Sequence, residues 1–61
     1  MPEAPMHYEI EVRTNAGGWL RKREKHKLLA AAELVAGVLR GNGGAPRIVR
    51  VASDGTQTVV G

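Results

Sequence analysis

A chain of 61 residues with a net charge of +3, 43% hydrophobic residues and no cysteine is long enough for one folded domain, and such a domain buries only about 60% of the surface its unfolded chain exposes. The composition excludes disulfide bracing and argues against structural zinc, because such sites draw on thiolates and only His7 and His26 supply imidazoles. No cofactor or metal is expected, which leaves packing and self-association as the sources of stability.

Residues 1–6 carry two prolines and no periodic pattern, so they read as a loose lead-in to a single α+β domain over residues 7–61. No basic region followed by an apolar one opens the chain, and no apolar run reaches the roughly 20 residues that a bilayer requires. A cytoplasmic location is the expectation. From His7 to Thr14, Tyr8, Ile10 and Val12 alternate with His7, Glu9, Glu11 and Arg13. This alternation predicts a half-buried strand with a polar outer face that water can satisfy. Asn15 to Gly18 reads as a turn.

Residues 19–27 read either as a second strand or as the first turns of a long helix. Helix propensity is good there, but a helix would place Arg21, Lys22, Arg23, Lys25 and Lys27 at its positive end. The strand reading is preferred, with Arg21 facing Glu11 and Arg23 facing Glu9 across a loop of about five residues. The helix then runs from about Glu24 or Lys25 to Arg40. Leu28, Ala31, Ala32, Val35, Val38 and Leu39 give it an apolar face, which Leu29, Leu34 and Ala36 widen beyond one stripe. Gly41-Asn42-Gly43-Gly44 stops it. It is no phosphate loop, since phosphate-cradling glycines follow a strand and open a helix. Arg47 to Ala52 and Thr56 to Val60 read as a closing hairpin around Ser53-Asp54-Gly55.

The predicted order is β-β-α-β-β, with β-α-β-β as the fallback: a small antiparallel sheet packed on one helix. Candidate chemistry is sparse. His7 and His26 are far apart in sequence, Ser53 and Asp54 share a turn, and Glu9 and Glu11 lie about 7 Å apart along a strand. The Glu9–Glu11 spacing is not far from that of glycosidase carboxylates, but a domain of this size has little room for a substrate cleft around them, so they read as a surface charge pattern and no enzyme activity is expected.

The basic run Arg21, Lys22, Arg23, Lys25 and Lys27, with Trp19 before it, suits phosphate neutralisation and base stacking. Alternatively it is a solvated strand face, with Trp19 covering an edge of the core. Thr58, Val59 and Val60 offer a short, uncharged strand for pairing with another chain. Together these features predict a protein-binding module acting through a sheet edge and the basic hairpin. Its role would be regulatory, adaptor or inhibitory, as filled by some small phage-encoded proteins. The partner would be another protein or a second copy in a homodimer. Nucleic-acid binding through the basic run is the alternative.

Overall fold

The computed structural model describes residues 5–61; most of the lead-in expected over residues 1–6 lies outside them. The order is β1 (His7–Arg13), β2 (Trp19–His26), α1 (Leu29–Gly41), β3 (Pro46–Val51) and β4 (Gln57–Val59). The strands form one antiparallel sheet in the order β2-β1-β3-β4. This is the α+β architecture that the alternation and the helical spacing predict.

Both hairpins are built alike. Thr14 N–H bonds Gly18 O and Gly17 N–H bonds Thr14 O; Ala52 N–H bonds Thr56 O and Gly55 N–H bonds Ala52 O. Each three-residue loop therefore ends in a glycine with positive φ, 87° at Gly17 and 91° at Gly55. That is the conformation a type I turn with a G1 bulge requires. Asp54 fixes the second turn, since its carboxylate accepts the Thr56 N–H at 2.9 Å.

The register beside the first turn pairs Glu11 with Arg21, as expected, but Glu9 faces Lys25 and not Arg23. Between those pairs, Lys22, Arg23 and Glu24 stand against Ile10 alone, so β2 bulges and Arg23 is displaced. The helix also begins later than the propensities suggest. β2 continues to His26, and α1 starts after Leu28, which is extended (φ −117°, ψ 138°) and gives no side-chain cap. Pairing with β1 engages the inward-facing backbone groups of β2 on both sides of the bulge as far as His26, and the macrodipole disfavours a helical start among cations. The C-terminus is a Schellman motif: Gly43 N–H bonds Arg40 O, and Gly44 N–H bonds Leu39 O at 2.8 Å.

The core lies between α1 and the sheet. Ile10 and Ile48 face each other on β1 and β3, and Ala32 and Ala36 let the helix approach them closely. Tyr8, Leu29 and Leu39 pack around this centre. The helix contacts β1, β2 and β3 but not β4. No helix among the described residues is long and apolar enough to cross a membrane.

Candidate functional site

The face of the sheet opposite α1 carries most of the chain's organised polar chemistry. Strand alternation puts His7, Glu9, Glu11 and Arg13 of β1 there. The register adds Trp19, Arg21 and Lys25 from β2, Arg47, Val49 and Val51 from β3, and Gln57 and Val59 from β4. Glu11 is the centre. Arg21 donates to its Oε2 from Nε at 3.1 Å and Nη2 at 2.8 Å, and Arg47 donates to its Oε1 from Nε at 2.7 Å. Glu9 meets His7 Nε2 at 2.6 Å and lies 3.7 Å from Arg21 Nη1.

This face is therefore not the water-satisfied polar surface expected from the sequence. Glu11 is 9% exposed, and Val49, on the same face, is 2% exposed. Arg21 reaches from β2 to donate to Gln57 Oε1 on β4 at 2.8 Å, so its side chain passes over the intervening β1 and β3. Burial alone would raise the Glu11 carboxyl, but the hydrogen bonds and charges of Arg21 and Arg47 outweigh it and hold the group below its ordinary value. Within the network two carboxylates meet two guanidiniums, and Arg13 and Lys25 leave the face as a whole with a positive balance.

Trp19 is on this face too, not over the core as one reading of the sequence had it. The Arg47 guanidinium carbon stands 3.9 Å from its ring centroid and that of Arg13 5.6 Å away. Arg47 thus stacks on an aromatic ring and binds a carboxylate with the same planar group.

The structure separates the sequence-predicted site residues. Trp19 and Arg21 are engaged within the chain. Lys22, Arg23, Lys25 and Lys27 are joined to no carboxylate among the described residues, and they follow the bulged edge strand into the link before α1. Thr58 and Val59 are in β4 at the other edge, about 14 Å away in a flat sheet, and Val60 follows them. The sheet edge and the basic hairpin are therefore two surfaces.

Neither histidine gains a nucleophile. His7 meets Glu9 on the sheet surface, while Ser53 belongs to the β3–β4 turn. His26 lies opposite Tyr8 on the helix-facing side, and its Nε2 is buried without a hydrogen-bond partner among the described residues. A depression at the bulge is lined by five consecutive residues, Leu20 to Glu24, with no wall from a second element. No group of three or more His, Asp or Glu side chains among the described residues could hold a metal ion.

Arg47 and Gln57 are the members of the network that sequence reasoning missed. The available signal was stoichiometric: two carboxylates at positions i and i+2 on one strand face require more than one cation.

The β4 edge is unlike the β2 edge. Ladder bonds join Ala52 to Thr56 and Ile48 to Val60. By the alternation of an antiparallel pair, Thr58 turns its backbone groups toward β3, whereas Gln57 and Val59 turn N–H and C=O outward. β4 has no charged residue, and its register is regular over Gln57–Val59 before Val60 and Gly61 together oppose Ile48, while β2 is both charged and bulged within the strand. Comparison of the chain with protein-family models, with curated proteins and with solved structures gave no match.

Proposed function

We propose that this chain is a non-enzymatic protein-binding module in which β4 receives an extended segment of a partner as a fifth strand. The observation that carries the reading is the outward-facing backbone of Gln57 and Val59 on an uncharged edge. Backbone pairing would supply affinity, and alternate side chains of the incoming strand would supply specificity. The cations of β2 and the following link, on a chain of net charge +3, favour an acidic partner and speed its encounter.

The test is capture of peptides from a displayed library by the wild-type chain and by Val59→Pro. Proline at position 59 removes an outward N–H that the β3 ladder does not use, so the domain should still fold. Peptides that bind the wild type and not V59P support the reading. Peptides that bind both equally oppose it.

Nucleic-acid binding is the second reading, favoured by the cations Lys22, Arg23, Lys25 and Lys27, which meet no carboxylate among the described residues. The commitment of Arg21 to Glu11 and of the Trp19 ring to Arg47 weighs against it. A generic oligonucleotide should then bind at about 50 mM salt and release steeply toward about 200 mM. Failure to bind at the lower salt removes this reading.

A further inference from the structure

We infer that a second copy of this chain packs against the flank of α1 formed by Leu28, Ala31, Leu34, Val35 and Val38, with the two helices antiparallel about a two-fold axis. This interface is separate from the β4 edge, and either can fail without the other.

The inference begins with a mismatch between core and surface. Among the described residues the fully buried apolar side chains are Ile10, Ile48, Val49 and two alanines. Meanwhile Leu34 is 75% exposed, Leu28 68%, Val38 65% and Leu20 59%. The chain thus exposes more large apolar side chains than it buries, and the exposed ones are not scattered. Leu28, Ala31, Val35 and Val38 follow one helical stripe beside the core stripe Leu29, Ala32, Ala36 and Leu39, with Leu34 continuing the arc. Glu33 and Arg40, the charged residues of α1, share the opposite flank, seven positions apart.

Leu20 extends the patch. It is paired with Val12, so it points to the helix side of β2. The chain reverses over Lys27-Leu28, and α1 ends near the start of β3, which runs parallel to β2. The C-terminal half of the helix therefore lies toward the end of β2 that carries Leu20. A standard interface buries about 800 Å² per partner, about a fifth of the chain's 4415 Å², so a dimer here would cover this apolar flank together with the polar residues that rim it.

A second copy is the occupant because the flank complements itself when reversed. The N-terminus of α1 has no acidic residue in its first turn and no side-chain cap, and Lys27 precedes it. In isolation this places a cation at the positive end of the helix. In an antiparallel pair, Lys27 of each copy lies beside the carbonyl end of the other helix, at Gly41 and Asn42, where a cation is favourable. A two-fold axis makes both contacts at once, with the apolar residues meeting between them.

Sedimentation velocity from about 10 to 500 µM tests this on the whole chain. The wild type should sediment as a dimer and V59P likewise. Leu34→Glu/Val38→Glu should sediment as a monomer with an unchanged helical circular-dichroism signal, because both side chains are exposed in one copy. Since the wild-type chain has no cysteine, cross-linking gives an independent readout. Under mild oxidation at low concentration, Leu34→Cys should form disulfide-linked dimers at least ten times faster than Glu33→Cys on the opposite flank. A monomeric wild type, a dimer surviving L34E/V38E, dissociation by V59P alone, or equal cross-linking rates would overturn the inference.

Discussion

Arg21 and Gln57 are hydrogen-bonded at 2.8 Å although they stand on the two edge strands of a four-stranded sheet. Their strands are about 14 Å apart in a flat sheet, and the register offsets the two residues along the strands as well. Only a sheet curled toward this face brings them together. The bulge in β2 adds to that curl, and the Arg21 side chain ties it closed over Glu11.

Removing this tie should be costly. Arg21→Leu leaves one oxygen of a largely covered carboxylate without its donors, and urea unfolding should register a loss of about 1–3 kcal/mol. Glu11→Gln combined with Arg21→Leu should cost less than the sum of the separate changes, with a coupling of about 0.5–3 kcal/mol. Strict additivity would mean that the two groups do not act as a pair.

The same pair sets a dependence on pH. The folded Glu11 carboxyl titrates below its ordinary value of 4.5, so below that value the unfolded chain takes up the proton first. The stabilisation is fully present above about pH 4.5 and is lost as pH falls through the depressed folded value. Unfolding free energies between pH 3 and 6 should therefore slope upward with pH, and Glu11→Gln should flatten the slope. Some slope should remain, because the Asp54 carboxyl is also held low by the Thr56 N–H. An unchanged profile in the glutamine variant would remove Glu11 from this role.

His26 works in the opposite sense. Its Nε2 is buried without a partner among the described residues, a cost that an apolar side chain of similar size avoids. His26→Leu should be neutral or raise stability by up to about 1 kcal/mol in thermal or urea unfolding. A loss of more than that would show that the imidazole makes a favourable bond.

Two neighbouring glycines separate close approach from mere flexibility. A Cβ at Gly44 would stand 2.9 Å from the Leu39 carbonyl oxygen, whereas a Cβ at Gly41 meets nothing within 4 Å. Gly44→Ala should lose more than about 1 kcal/mol. Gly41→Ala, in the last turn of α1, should gain up to about 1 kcal/mol. Similar effects from both would contradict the helix-stop geometry.

These residues also mark what the sequence can and cannot reveal. The turns at Asn15–Gly17 and Ser53–Gly55, the helix stop and the Glu11–Arg21 pair were legible because each follows from local chemistry a few residues long. The bulge was not, since Lys22-Arg23-Glu24 contains no glycine or proline to announce it. That silence displaced Arg23 from Glu9. The helix start was misread because Glu24 to Lys27 have good helix propensity, and pairing with β1 overrode it. The open-face network was hidden for a different reason: Arg47 and Gln57 each meet their partners across 36 residues, a separation that periodicity does not encode.

The central claim, that β4 accepts a strand, is tested most directly by amide hydrogen exchange at Gln57 and Val59. In the isolated chain their outward N–H groups should exchange fast while Thr58 is protected. With a library-selected peptide bound, Gln57 and Val59 should become protected as well. Protection that leaves these two amides unchanged and appears instead along Lys22 to Lys27 would contradict the account.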